Sequence, residues 1–149
     1  MKKGFTLIEI LVVMAIIGVL AALSLTGFGA ARKNARDTTR KSDLGQYKLA
    51  LEAYASNNNG LYPKNTYNGN SQSTSGIFAG TGPIITEYLP KEINDPAPTA
   101  TYSYHYYGAA DGIIYKLYAA LETGGYWILC STGQAGKSAT VTANSTCNL

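Results

Sequence analysis

A single carboxylate interrupts the most apolar stretch of the chain. Glu9 is followed by a run from Ile10 to Leu25 that contains no charged residue. A carboxylate near the centre of a membrane-spanning helix costs roughly 2.5–3.5 kcal/mol, and such groups usually mark function. The chemistry that Glu9 suggests is therefore charge pairing, with a partner that must lie elsewhere.

Few other residues could do chemistry. His105 is the single histidine, and it lies in a tyrosine-rich stretch where we predict a structural role. No Ser/His/Asp arrangement, phosphate-binding glycine loop or metal-ligand cluster is present in the sequence. We therefore predict that the protein is not an enzyme and needs no cofactor or metal. Cys130 and Cys147 form a disulfide if this part of the chain is exported, and two free buried thiols are the alternative.

The apolar stretch has the features of a membrane segment. It is near the roughly 20 residues that a bilayer requires, and Lys2 and Lys3 precede it, as expected on the cytoplasmic side. An ordinary secretory signal peptide, cut near Gly27, Gly29 or Ala31, is the alternative. Glu9 argues against that alternative, because a general export segment gains nothing from a buried acid.

The stretch Gly4-Phe5-Thr6-Leu7-Ile8-Glu9 resembles the processing site of type IV pilins and of the pseudopilins of type II secretion systems. The resemblance implies that a membrane peptidase, the prepilin peptidase, cuts after Gly4 and that Phe5 becomes the methylated N-terminus. It also implies that Glu9 meets the N-terminal amine of a neighbouring subunit during assembly.

This resemblance implies four segments. They are a cleaved leader at 1–4, a transmembrane and filament-core half-helix at 5–31, an amphipathic half-helix at 32–57 and a globular domain at 58–149. Composition agrees with one modest domain plus an anchor, since the chain has 149 residues. The fold class that we predict is α+β, with the long helix packed against a small antiparallel sheet.

We expect one helix from Phe5 to about Asn57, because no proline interrupts it. Its second half carries apolar residues at three- and four-residue steps: Leu44, Tyr47, Leu51, Tyr54 and Ala55. Between Gly18 and Gly29 the helix should be weakest. Many pilins have a proline where this chain has Thr26, and Gly27 and Gly29 could replace it, since each glycine costs about 1 kcal/mol relative to alanine. We predict a broken or stretched helix there in the filament.

A basic row lies between the two halves. Arg32, Arg36 and Arg40 follow one another at four-residue steps, with Lys33 and Lys41 beside them. We interpret the row as a solvated collar that meets lipid headgroups and later neighbouring subunits; contact with DNA or lipid phosphates is the alternative. Asp37 can pair with Arg40 or Lys41 on the same helix surface.

Three strands are predicted in the globular part, at Thr101–Tyr107, Ile113–Glu122 and Tyr126–Ser131, with glycine-containing turns between them. They should form an antiparallel meander that covers the apolar stripe of the helix. The tail from Thr132 to Leu149 is too polar to be held by burial. The resemblance implies that a Cys130–Cys147 bond ties it down, as in many type IV pilins.

The connector before the strands is less informative. Asn65–Gly82 is predicted to be a surface loop, and Pro83–Leu89 a short helix that Pro90 ends. Asp95 lies where some pseudopilins have a calcium loop. The spacing of the nearby acids matches no such loop.

Function is therefore expected to be structural. The resemblance implies a subunit of a type IV pilus or related filament, anchored in the cytoplasmic membrane before assembly and extracellular afterwards. Its expected partners are other copies in a helical filament, the prepilin peptidase, and the assembly platform and motor. A type II secretion pseudopilin is the alternative. A DNA-uptake receptor would need a basic stripe, and four lysines are too dispersed in sequence to indicate one: Lys64, Lys91, Lys116 and Lys137.

Overall fold

The computed structural model describes residues 4–25, 28–64, 72–73, 87–89, 91, 93–99, 101–142 and 147. They belong to two compact units, Met1–Ala35 and Arg36–Leu149. The elements in chain order are α1 (Leu7–Leu25), α2 (Phe28–Asn57), β1 (Gln72–Ser73), β2 (Tyr104–Gly108), β3 (Tyr115–Ala120), β4 (Tyr126–Cys130) and β5 (Ala135–Ser138).

The first unit is dominated by α1, which is apolar around its whole circumference. Its side chains from Leu7 to Ala22 are all exposed in the single chain. A helix that is apolar all round requires an apolar environment on every side. The described residues contain no helix whose length and hydropathy together meet the requirements of a membrane span.

The long N-terminal helix is described in two pieces. We predicted one helix from Phe5 to about Asn57, and helix is found over Leu7–Leu25 and Phe28–Asn57. Thr26 and Gly27, on which the expected weak point rests, lie outside the described residues. The helix ends where the sequence predicted, because Asn59 and Gly60 adopt left-handed backbone angles with φ of 57° and 77°.

The second unit contains a five-stranded antiparallel sheet in the order β1-β2-β3-β4-β5. The three predicted strands correspond to β2, β3 and β4 with tighter bounds, which confirms the meander. The register places Tyr106 opposite Leu117 and Leu117 opposite Leu129. These residues therefore share the face of the sheet that packs on α2.

Two strands were not predicted. β1 is a two-residue strand at one edge of the sheet, and β5 lies at the other edge within the polar tail. A tight turn at Gly133, with φ of 86°, lets the chain reverse after β4. Burial does not hold β5, as its side chains are exposed or half-buried. Its ladder of backbone hydrogen bonds to β4 holds it instead.

The core confirms the predicted stripe of α2. Leu44, Tyr47 and Leu51 are fully buried there, in one hydrophobic cluster with Tyr106 and Leu117 from the sheet. Among the described residues, each buried tyrosine hydroxyl has an acceptor. Tyr47 donates to the Ile93 carbonyl at 2.7 Å. Tyr104 donates to Asp43 Oδ2 at 2.5 Å and Tyr106 to the Pro63 carbonyl at 2.6 Å.

A group of charged residues links α2 to the connector and to the turn after β3. We call it the Arg40 cluster: Arg36, Asp37, Arg40, Asp95 and Glu122. Arg40 is 0% exposed. Its Nε and Nη2 donate to the two carboxylate oxygens of Asp95 at 2.7 and 2.8 Å. Its Nη1 donates to Asp37 Oδ1 at 2.8 Å and to Glu122 Oε1 at 3.0 Å. The guanidinium also lies 4.5 Å from the ring centroid of Tyr102.

The acids of the cluster have further partners. Glu122 accepts hydrogen bonds from Nε and Nη2 of Arg36 at 2.6 and 2.5 Å. Asp37 accepts from the backbone N–H of Glu122 at 2.9 Å, and from the backbone N–H and hydroxyl of Thr123 at 3.0 and 2.7 Å. The turn between β3 and β4 is therefore attached to α2 by both side chains and backbone.

The collar interpretation is wrong for part of the basic row. Arg32, Lys33 and Lys41 are exposed, as a collar requires, whereas Arg40 is fully buried and Arg36 is half-buried against Glu122. The reason is that acids distant in sequence fold onto these arginines. The expected Asp37–Arg40 pair is confirmed. Both oxygens of Asp95, considered above for calcium, are hydrogen-bonded to Arg40.

Pairing changes the pKa values of the cluster. The Arg36 guanidinium, with help from Arg40, lowers the pKa of Glu122 to about 2. Burial raises the pKa of Asp37, but the hydrogen bonds from Thr123, Glu122 and Arg40 outweigh burial and leave that pKa below its ordinary value. Hydrogen bonding to Asp95 raises the pKa of Arg40 in spite of its burial.

Replacing Arg40 by leucine should destabilise the second unit by about 3–5 kcal/mol, because it leaves buried acids without their counter-ion. Unfolding in denaturant can be followed by the fluorescence of Trp127, the single tryptophan. Arg32→Leu, at an exposed position of the same helix, is the matched control and should change stability by no more than about 0.5 kcal/mol. Equal effects of the two substitutions would contradict the assigned role of Arg40.

The same cluster should make the second unit acid-sensitive. The folded pKa of Glu122 lies below its ordinary 4.5, so its contribution is present above pH 4.5 and is lost as the pH falls towards 2. Asp37, with its lowered pKa, acts in the same direction. The free energy of unfolding, measured at a series of pH values, should fall across this window more steeply in wild type than in Glu122→Gln. The exposed Glu87→Gln variant is the control; parallel curves for wild type and Glu122→Gln would reject the assignment.

Candidate processing and assembly site

The residues that the sequence assigned to processing lie in front of α1. Gly4, Phe5 and Thr6 are exposed and outside the helix, which begins at Leu7. Phe5 is 84% exposed. A Cβ added to Gly4 would meet no atom within 4 Å. The Gly4–Phe5 peptide bond therefore joins two exposed residues that lie before the helix.

Thr6 and Glu9 form a reciprocal cap at the start of α1. The backbone N–H and the hydroxyl of Thr6 donate to Glu9 Oε2 at 2.8 and 2.7 Å. The Glu9 N–H lies 3.4 Å from Thr6 Oγ1. This is the capping-box arrangement, in which a threonine and a glutamate three residues later satisfy each other's free helix-terminal donors. The Thr-x-x-Glu spacing was present in the sequence, and our interpretation of Glu9 as an intersubunit group overlooked it.

The cap determines what Glu9 can do. The hydrogen bonds from Thr6 hold the carboxylate at the N-terminal end of the helix, where the helix dipole favours negative charge. Both of these bonds go to Oε2. Oε1 therefore remains able to accept a hydrogen bond from an amine brought by another molecule.

The other candidate residues have structural surroundings. His105 stacks on Tyr118 with ring centroids 4.9 Å apart, and its Nε2 is 2.9 Å from Ser103 Oγ. Burial lowers the His105 pKa, which favours the neutral ring. Within the described part of the chain, no three His, Cys, Asp or Glu side chains are grouped so as to hold a metal ion.

Cys130 and Cys147 are joined by a disulfide, with their Cα atoms 6.2 Å apart. Cys130 is the last residue of β4 and is 1% exposed. The bond attaches the end of the tail to the sheet, as the resemblance implied. Residues 143–146, between β5 and Cys147, lie outside the described residues.

A helical N-terminal segment, an antiparallel sheet packed on the distal part of α2 and a disulfide-closed C-terminal tail define the α+β architecture of a pilin-like subunit. A family model for the prokaryotic N-terminal methylation motif matches residues 1–25. The type IV major pilin protein PilE of Neisseria gonorrhoeae is 30% identical over 154 aligned positions, covering 99% of this chain and 86% of PilE. The chain belongs to the type IV pilin family.

Two further relatives match mainly the helical part. The type IV wide pilus major component PilA4 of Thermus thermophilus is 47% identical over 57 residues, which is 38% of this chain and 44% of PilA4. The match thus spans less than half of that relative. The type IV major alpha-pilin of Moraxella bovis is 40% identical over 52 residues, which is 35% of this chain and 33% of that protein. No solved structure matches this chain significantly.

Proposed function

We propose that this protein is the main structural subunit of a type IV pilus. The observation that carries the proposal is the similarity to a major pilin over nearly the whole chain. The apolar surface of α1, exposed on every side in the single chain, supports it, because such a surface needs lipid before assembly and neighbouring helices afterwards. At the level of the filament the function is adhesion, motility or DNA uptake.

Processing and assembly follow from the site at the N-terminus. The prepilin peptidase cuts the Gly4–Phe5 bond, which is exposed and precedes the helix, and Phe5 is then N-methylated. The new amine of one subunit binds Glu9 of another. The free Oε1 of the capped Glu9 supports this pairing, since a second donor can bind without displacing Thr6. Before assembly the subunit is held in the cytoplasmic membrane, and the assembly platform and motor transfer it to the extracellular filament.

A major pseudopilin of a type II secretion system is the second candidate, because the same processing motif and fold serve both roles. The C-terminal disulfide favours the pilin. A DNA-uptake receptor is less well supported, since Lys116, one of the four dispersed lysines, is buried. Electron microscopy of cells that express the protein distinguishes these functions: long surface fibres labelled by an antibody to this chain support the pilus, and their absence from secretion-competent cells contradicts it.

The mature chain should begin at Phe5. Intact-mass measurement of the membrane or fibre form should show the loss of Met1–Gly4 and the gain of one methyl group. The Gly4→Leu variant should remain unprocessed, because a bulky side chain is placed at the cut. A mature N-terminus beyond Ala22 would instead indicate an ordinary signal peptide and would contradict the proposed processing site.

Glu9→Gln should abolish or strongly reduce filaments while leaving membrane insertion at least as efficient as in wild type. Glutamine can still accept the hydrogen bonds of Thr6, since it serves at this position of a capping box, so the substitution removes the charge and retains the helix cap. Fibre yield by shearing and membrane content by fractionation are the two measurements. Glu87→Gln, an exposed acid of the second unit, is the control, and wild-type fibre yield from Glu9→Gln would remove the proposed role.

A further inference from the structure

Lys116 is buried in spite of its charge. It lies in the middle part of the sheet, in β3, and only 2% of it is exposed. Its chain neighbours Tyr115 and Leu117 point into the core, so Lys116 points to the opposite face of the sheet. Its Nζ donates to the carbonyl oxygen of Thr142 at 2.6 Å. The ion pairs found within the described ranges do not include Lys116.

The β3–β4 register places Cys130 directly opposite Lys116. Side chains opposite each other on one face of an antiparallel pair have Cβ atoms about 4.5–5.5 Å apart. Thr142, which binds the ammonium, precedes Cys147 by five positions in the tail. Lys116 therefore lies beside one cysteine and holds the segment that carries the other.

The pairing of β3 with β4, unlike the attachment of the tail, does not depend on the disulfide. β3 and β4 are in register over five residue pairs, and Lys116–Cys130 is the pair at the end where β4 finishes. Just beyond it, the Ser131 N–H donates to the Tyr115 carbonyl. In the reduced chain, the Lys116 side chain would therefore still lie opposite Cys130, on the same face of the sheet. A neighbouring ammonium stabilises a thiolate, and a buried ammonium is costly without an anion. The Cys130 thiolate would therefore be the counter-ion of the Lys116 ammonium.

The neighbours of this pair on β2 and β3 are aromatic. Tyr107 is the β2 partner of Lys116, and His105 and Tyr118 follow on the same face of the sheet. Burial lowers the pKa of His105, which favours its neutral ring. On this face, the described part of β2, β3, β4 and β5 contributes no carboxylate.

We propose that Lys116 is a positioning residue for oxidation of the Cys130–Cys147 pair: its ammonium stabilises the Cys130 thiolate, and its hydrogen bond to Thr142 holds the tail within reach. With a small-molecule disulfide as oxidant, the Cys130 thiolate attacks one sulfur, and the other sulfur leaves as a thiolate with the bonding electron pair. The Cys147 thiolate then attacks the Cys130 sulfur and expels the second small thiolate. Two cysteine thiols are oxidised, one disulfide is reduced to two thiols, and the two protons pass to the expelled thiolates.

The first test is a titration of the Cys130 thiol. The full chain in detergent carries Cys147→Ser, and the ultraviolet absorbance of its thiolate is measured against pH after subtraction of the spectrum of a chain without cysteines. The titration midpoint should lie below the roughly 8.5 of an ordinary thiol. Lys116→Met should raise the midpoint by about one pH unit, and Lys116→Arg, which keeps the charge, should raise it less.

The second test is the rate of closure in the wild-type cysteine background. The reduced chain is mixed with oxidised glutathione near neutral pH, and free thiols are counted over time. A rise of one unit in the thiol midpoint leaves nearly tenfold less thiolate near neutral pH, but a more basic thiolate is a better nucleophile. The disulfide of Lys116→Met should therefore form about threefold more slowly. Lys137→Met, which removes an exposed lysine of β5, is the matched control and should close at the wild-type rate.

A purely structural role for Lys116 would not shift the thiol midpoint. An unchanged midpoint in Lys116→Met, or an equal shift in Lys137→Met, overturns the proposal. Trp127 fluorescence shows whether Lys116→Met is folded. If Lys116→Met is not folded, the thiol midpoint of the Cys147→Ser chain with Lys116 intact is the test. A midpoint at or above the ordinary thiol value contradicts stabilisation of the thiolate by the ammonium.

Discussion

Arg40 is the side chain around which the second unit is organised, because it is fully buried and cannot lose its charge. A guanidinium stays protonated at any accessible pH, and a buried charge without a partner is very costly. The acids that bind it come from three parts of the chain: Asp37 from α2, Asp95 from the connector and Glu122 from the turn after β3. The requirement that these segments meet at one guanidinium fixes where the connector and the sheet lie along α2.

Such a cluster contributes more to specificity than to stability. Desolvation of the charges offsets much of their attraction, so a buried ion pair is often no more stabilising than apolar packing of the same volume. An aliphatic stripe alone would allow the sheet to slide along α2 at small cost. The Arg40 cluster forbids that, and the buried hydroxyls of Tyr47, Tyr104 and Tyr106 do so as well, because each has one matching acceptor. We therefore infer that polar contacts select the packing that apolar burial stabilises.

The parts of this fold that could be predicted are those encoded by near neighbours in sequence. The helical stripe of Leu44, Tyr47 and Leu51 and the three central strands follow from local periodicity. Arg40 was misinterpreted because its bidentate partner Asp95 lies 55 positions away, a pairing without a local signal. β5 was missed because backbone hydrogen bonds, not side chains, hold it. The Thr6–Glu9 cap is different: its spacing is local and could have been recognised.

That cap changes the energetic problem posed by Glu9. A bare carboxylate in an apolar environment would need its partner at once, whereas hydrogen bonds from Thr6 already satisfy one of its oxygens within the same chain. Under the proposed assembly, the amine of a neighbour then binds a charge that is partly satisfied. The free energy gained by the pairing is only the difference between the capped carboxylate and the carboxylate in the assembled pair. This difference is smaller than the free energy of burying a bare charge. On the proposed assembly, such a cap would lower the cost of keeping the single subunit in an apolar environment. It would also make the contact between subunits weaker and more readily reversed than a pairing that satisfied a bare carboxylate.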